Sequence, residues 1–600
     1  MGRSFTYAFV FVCQAGPLES KALLLAASLK RHLSCPYELL AAVPTPVETW
    51  GALAPATKDL LEKLGGRTVP IANEIDPAYP IGNKVSCLRV RTGADRLVFL
   101  DTDMLLVREF AGDPRFAVPF AAKPADLPNV SHPRQWRRAY AAARLKPPEG
   151  RVATTLYGQI VPPYFNAGFV AVDPKAGLGN AWLECCRRIH AKWGIRLKRP
   201  HLDQIALPVA VHKLGLPYDC LDERYNFPAH LKPLDNANPP LFVHYHGPHV
   251  LRREPVLVDL ARQLCEEEPA LAERVRGDPD LAPLLRPRAG APVRGSRAGE
   301  PTPELIITGL PRSGTSYLCN LLHRYENCVI LNEPEGISRP LRKEPIPYGV
   351  GTFYRDVRRD ILEGRPIRNK LKDGKVTDET MEANEQTEYT PAVTGEDFVL
   401  GAKSPLGFLS RLDALRRAMP RARIVVCVRN PFDVIASWKT TFSHLKTADV
   451  ADLTHGGLRD PFLSARHRSA LEDVARVKHP AWRRAAWWRY LADLILDAAP
   501  HVILVPYPVA VTDPVSVVGR ILEGFNPGTL REPIEPSTIR AGKRTALDEE
   551  DYQAIRALCG EAAAALGVDD GWGEAYASAR RPDAVSDSRS PDPARAVAAT

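Results

Sequence analysis

The segment LIITGLPRSGTSYLCNLL, Leu305 to Leu322, places an apolar run before a loop with two glycines and an amphipathic stretch. Backbone N–H groups of such a loop, with the N-terminus of a following helix, cradle phosphate oxygens. Gly309 and Gly314 let the main chain come close, Thr315 and Ser316 offer hydroxyls, and Arg312 offers a fork of donors to an anion. A second constellation is RLVFLDTDMLLV, Arg96 to Val107, with Asp101 and Asp103 one residue apart at the end of an apolar run. Two carboxylates so placed can hold a divalent cation through oxygen, and such a cation bridges and stabilises a diphosphate leaving group.

Both constellations need strands that end beside them. In the first half the patterning predicts strands at Tyr7–Val12, Glu38–Val43 and Arg96–Leu100 and a helix at Glu19–Leu33, an alternation expected of an α/β domain with a mostly parallel sheet. A second α/β pattern starts at Glu304. It predicts strands at Leu305–Thr308, Val329–Leu331, Arg423–Val428 and Val502–Val505, with a helix at Ser316–Arg324. Six hundred residues exceed what one core organises. The expected organisation is a first domain over 1–272, a Pro/Gly/Arg-rich linker over 273–303, a second domain over 304–579 and a disordered tail over 580–600. Tyr7–Cys13 after Arg3 could pass for a short signal-peptide core, and MGRSFT fits a loose myristoylation pattern; the preferred reading is a buried first strand. Trp487 and Trp488 read as core.

The charge balance excludes some classes. Lys and Arg outnumber Asp and Glu by 79 to 70, a modest +9 that suits anionic small substrates but not a nucleic-acid protein. The 11 cysteines are odd in number and scattered without a CxxC pair, so reduced thiols in the cytoplasm are expected. No apolar run approaches the roughly 18–20 residues of a membrane span.

Gly309 and Gly314 have the spacing of a P-loop, but Thr315 stands where the nucleotide-triphosphatase lysine belongs, which weighs against a P-loop kinase. PRSGTSYL instead resembles the 5′-phosphosulfate loop of sulfotransferases that use 3′-phosphoadenosine 5′-phosphosulfate (PAPS). IVVCVRNPFDVIASW resembles their second element: Arg429 ends a strand and Ser437 follows in the next helix. The resemblance covers roughly residues 303 to 575. It implies a P-loop-like parallel-sheet domain that moves a sulfuryl group from PAPS to a hydroxyl acceptor. It also implies that Pro311, Arg312, Ser313, Gly314, Thr315 and Ser316 hold the 5′ end and Arg429 and Ser437 the 3′-phosphate. Arg312 stands where the family often has lysine. For the base, LNEPEG offers Glu333 and Glu335, with Glu333 preferred as nearer the strand end; Lys403 in LGAKSPLGF resembles a lysine that often faces the active site. Residues 340–396 and 440–475 look like irregular acceptor-side loops.

The surroundings of Asp101 and Asp103 resemble nucleotide-sugar glycosyltransferases of the GT-A fold, of the glycogenin and lipopolysaccharide galactosyltransferase type. Lys84 in NKVSCLRV matches a diphosphate-contacting lysine. YFNAGFVAVDP matches the segment whose asparagine, here Asn166, touches donor sugar. HLDQIAL places Asp203 and Gln204 like the pair near the transferred sugar. VHYHG brings His244, with His246 as runner-up, to the late histidine that completes a Mn²⁺ or Mg²⁺ site with Asp101 and Asp103. Pro248-His249-Val250 replaces the family's Lys-Pro-Trp, and the stereochemistry of transfer stays open. The match covers roughly residues 5 to 255 and implies a Rossmann-like GT-A domain using a nucleotide-diphosphate sugar. Together the resemblances imply a fused transferase acting on carbohydrate or another hydroxyl acceptor. The alternative is a sulfotransferase with a non-catalytic glycan- or nucleotide-binding N-terminal module.

Overall fold

The structure, a computed structural model, describes residues 5–126, 133–195, 198–235, 237–285, 304–372, 375–377, 385–451, 453, 455–537 and 544–569. The chain divides into two compact units, residues 1–291 and 292–600.

In the first unit a sheet of seven described strands runs in the order Tyr218–Cys220, Phe120–Pro124, Phe165–Val172, Arg96–Leu100, Tyr7–Val12, Tyr37–Thr45 and Gly66–Ala72. The strands from Arg96–Leu100 to Gly66–Ala72 are parallel, and Phe165–Val172 enters antiparallel. Tyr7–Val12 is buried along its whole length, as befits an apolar run covered on both faces. Helix Pro17–His32 buries Leu23 to Leu25 and Leu29 against it. A small sheet pairs Met104–Leu106 antiparallel with Phe242–His244. That register sets His244 opposite Met104, one residue from Asp103, although 141 positions separate the two side chains in sequence.

The expected linker starts too early. Helix Pro269–Gly277 and the turn Ala282–Leu285 are folded, with Val275, Leu281 and Leu284 buried in the first core. Apolar residues at these spacings outweigh the proline and arginine content that reads as linker. Residues 286–303 and the expected tail, 580–600, lie outside the described residues.

The second unit holds a parallel sheet of five described strands in the order Cys328–Asn332, Val399–Lys403, Leu305–Gly309, Arg423–Val428 and Ile503–Pro506. Much of 340–396 and 440–475 is regular, which corrects the expected irregular loops. Helix Tyr348–Leu362 buries Val350, Tyr354, Val357 and Ile361, a stripe at helical spacing that its arginines disguise. Strand Ile367–Lys372 pairs with Gln386–Tyr389, and helix Ala465–Arg476 buries Leu471 and Val474. Trp487 and Trp488 lie fully in the core. Among the described residues no helix is long and apolar enough to cross a membrane.

Candidate functional site

In a parallel sheet every strand delivers its C-terminal residue to the same edge, which is where ligands collect. Read across the second sheet, those edge residues are Glu333, Lys403, the loop 310–314, Arg429 and Tyr507. All five positions line one cavity of about 940 Å³, together with Ser437. Glu335 does not share this position; its side chain is 74% exposed and faces Arg368.

The loop is held from several sides. The Ser313 hydroxyl donates to the Cys427 carbonyl (2.8 Å), and the Trp438 indole donates to the Pro311 carbonyl (2.9 Å). Gly314 caps helix Thr315–Leu322 at φ 97°, and a side chain there would run into the Tyr507 ring. Arg312 also sits at positive φ, 71°, a conformation that disfavours any residue with a Cβ. Its Nε donates to Ser437 Oγ at 3.2 Å, joining the two motifs. Thr315 is buried as the first residue of the helix. Lys403 is 1% exposed and donates to Ser316 Oγ at 2.9 Å.

Arg429 follows its strand directly. Its guanidinium lies 4.3 Å from the centre of the Tyr507 ring, and its buried Nε has no hydrogen-bond partner among the described residues; the nearest carboxylate, Asp433, is 3.8 Å away. A buried, unsatisfied cationic donor at a cavity wall suits an anion. Asn430 caps the helix Pro431–Thr441 that carries Ser437, accepting from the Phe432 N–H and donating to the Val568 carbonyl. Glu333, at φ 49°, takes a 2.9 Å ion pair from Lys370. Lys370 and Tyr507 escaped the sequence reading. Neither stands in a motif; only the sheet order could have revealed them.

In the first unit Asp101 follows strand Arg96–Leu100 and Thr102 donates to the Val12 carbonyl, which fixes the turn. Asp103 Oδ1 lies 3.0 Å from His244 Nε2, and Asp101 Oδ2 lies 3.9 Å from the same nitrogen. The side chains of Asp101 and Asp103 stay 21% and 27% exposed, enough to meet a ligand. Gly168 is required here: a Cβ on it would sit 2.6 Å from the His244 ring. Asn166 accepts from the Gly168 N–H at 2.9 Å. Burial alone would raise both carboxyls. For Asp101 burial prevails over Lys84 and the acid stays above its ordinary range; for Asp103 the adjacent His244 outweighs burial and holds it below.

Lys84 spans two acids, 3.0 Å from Asp101 and 3.0 Å from Asp203. Burial disfavours its charge, but the two carboxylates outweigh that and keep it protonated. Asp203 is 2% exposed, and it also accepts from the Tyr79 hydroxyl at 3.0 Å. It bonds Lys84 and Tyr79 from this buried position. Gln204 accepts from the Tyr164 hydroxyl at 3.1 Å.

The donor set fits a divalent cation. One ligand atom each from Asp103, His244 and His246 lies within 4.8 Å of the others. His244 Nδ1 is 3.0 Å from Asn226 Oδ1, so when Nδ1 carries its proton, the Nε2 lone pair faces the Asp103 carboxylate. At that separation Nε2 either donates to the Asp103 carboxylate or, without its proton, can share a cation with it. His230, stacked 3.7 Å from His246, is pushed down to about 3 by burial and then by His244.

Each unit thus carries its own candidate site. Residues 9–215 match the family model of a Rhodobacterales glycosyltransferase domain, and residues 303–526 match that of a sulfotransferase family. The chain is a fusion of a glycosyltransferase domain and a sulfotransferase domain. No curated protein matches it. His244 and the helix Glu549–Ala565 both lie beyond the matched segments.

Proposed function

We propose that the chain is a two-headed carbohydrate-modifying enzyme of the cytoplasm. Its second domain moves a sulfuryl group from PAPS to a hydroxyl of a carbohydrate acceptor, and its first transfers a sugar from a nucleotide-diphosphate donor with Mn²⁺ or Mg²⁺. The observation that carries it is the order of Glu333, Lys403, the loop and Arg429 along one sheet edge, opening on one cavity. Eleven cysteines without a disulfide among the described residues fit a reducing compartment.

In the sulfuryl step Glu333 takes the proton of the acceptor hydroxyl as its oxygen bonds to sulfur, and the sulfur–oxygen bond to the 5′-phosphate breaks. Charge develops on that leaving phosphate. The N–H groups of 312–316, the Arg312 guanidinium and Lys403 receive it without having to reorganise. Lys370 holds the Glu333 carboxylate in place. Arg429, flattened on Tyr507, and Ser437 take the 3′-phosphate.

In the first domain Asp101, Asp103 and His244 would hold the cation, with His246 beside them. When bound, the cation supplies charge that stabilises a departing nucleoside diphosphate. Lys84 adds a second positive charge beside it, and Asp203 keeps that lysine aimed. Asn166 and Gln204 stand where donor sugar is expected.

A thermal-shift screen with PAPS, 3′,5′-adenosine bisphosphate, ATP and nucleotide sugars with Mn²⁺ tests both halves, because ligands of the native state raise Tm. The adenosine bisphosphate is expected to stabilise the protein and Arg429→Ala to abolish that response; a response to ATP alone would overturn the sulfotransferase half. Nucleotide sugars are expected to act only with Mn²⁺, and Asp103→Asn to remove the dependence. Binding that ignores the metal would leave a non-catalytic module.

A further inference from the structure

The chain's charge is unevenly placed. Residues 133–148 carry five Lys or Arg and residues 185–201 carry six, with no Asp or Glu in either segment, against +9 for the whole chain. Arg187, Arg188 and Arg199 pair with Glu74, Glu184 and Asp76. The fold brings the two segments together. Helix Pro133–Ala142 buries Trp136, Ala139 and Tyr140 and turns Arg134, Arg137 and Arg138 outward. Arg138 then donates to the Gly194 carbonyl at 2.6 Å, fastening the loop that carries Lys192 and Trp193 against this basic face.

Trp193 is 94% exposed, the most exposed of the large hydrophobic residues among those described. An exposed indole beside a basic face offers a flat apolar surface to a ligand that the guanidinium groups attract. The same segment runs on into helix Lys198–Lys213, where Tyr79 bonds both the Pro200 carbonyl and Asp203. Asp203 of that helix bonds Lys84 of the candidate donor site.

We propose that this face, Trp193 with Arg134, Arg137, Arg138 and Lys192, is a docking platform for a sulfate-bearing acidic glycan, and that the glycosyl acceptor is such a polyanion. The chemistry of each group points there. A guanidinium fork matches the paired oxygens of a sulfate ester or uronate. A flat indole covers the C–H face of a pyranose ring and tolerates the hydroxyls at its edge. One ring among several arginines matches a sugar repeat better than the stacked bases of single-stranded nucleic acid, which call for successive aromatics. The proposal rests on the carbohydrate reading above and names the acceptor class of that site; sulfate esters are also what the second domain is proposed to make.

The test is calorimetric titration of the full chain with dextran sulfate, neutral dextran of equal length, duplex DNA and vesicles rich in anionic lipid. Dextran sulfate is expected to bind and neutral dextran not to. Trp193→Ala is expected to weaken binding about three- to tenfold, the worth of one aromatic contact. Arg134→Ser/Arg137→Ser is expected to weaken it further and to flatten its salt dependence. Both variants should keep the Mn²⁺-dependent response to nucleotide sugars, which separates failure of this proposal from failure of the enzymatic reading. Equal or tighter binding of DNA or vesicles, or indifference to Trp193→Ala, overturns the platform.

Discussion

Replacing Arg312 by glycine and by alanine separates what the residue costs the fold from what it does for the reaction. Arg312 holds φ 71°, where a side chain costs roughly 1–2 kcal/mol. Both substitutions remove the 3.2 Å bond to Ser437 and the guanidinium, so their difference isolates the backbone. Glycine is therefore expected to be the more stable of the two by about 1 kcal/mol. For the chemistry the two should fail alike. A preorganised donor facing developing charge is worth about 10²–10³ in rate, so release of 3′,5′-adenosine bisphosphate from PAPS should drop by that factor in both. Urea denaturation, followed at the transition that 3′,5′-adenosine bisphosphate displaces, reads the stability of the second domain in the two-domain chain. Equal stability of the two variants would refute the strained-loop argument, and a rate within about tenfold of wild type would refute the placement of Arg312 over the leaving group.

Three further outcomes follow from the same geometry. Glu333→Gln should lower sulfuryl transfer by about 10²–10⁴ while leaving the affinity for 3′,5′-adenosine bisphosphate unchanged by calorimetry, since only the base is lost. Lys84→Met strands Asp101 and Asp203 and should destabilise the first domain by about 3–5 kcal/mol in denaturant titration, with part recovered by adding Asp203→Asn. Because Lys84 and Asp101 both titrate above their ordinary values, the contribution should be lost in acid as Asp101 takes up its proton, hold from neutral pH to about 10, and fade as pH rises through the shifted lysine value. Gly168→Ala should push the His244 ring off Asp103 at a cost of about 1–3 kcal/mol and blunt the Tm response to Mn²⁺.

Local chemistry was largely legible. The loop 310–314 belongs to a contiguous strand–turn–helix, so Gly314, Thr315 and Ser316 announce themselves by spacing within a few residues. Strands Tyr7–Val12, Arg96–Leu100 and Arg423–Val428 stand where the apolar runs placed them. Helix Tyr348–Leu362 was hidden because its arginines and glycines mask a four-residue apolar stripe. The linker was overextended because proline-rich helices such as Pro269–Gly277 resemble it in composition.

Residue types and short-range order marked the candidate chemistry: a pair of carboxylates, a glycine-containing loop and two α/β frameworks to carry them. Which partner each reactive group meets was decided in three dimensions. Lys370 on Glu333, Tyr507 under Arg429 and Asp203 beneath Lys84 are neighbours only because strands distant in sequence lie side by side. Pairing of that kind depends on the order in which strands enter a sheet, and no local spacing encodes it.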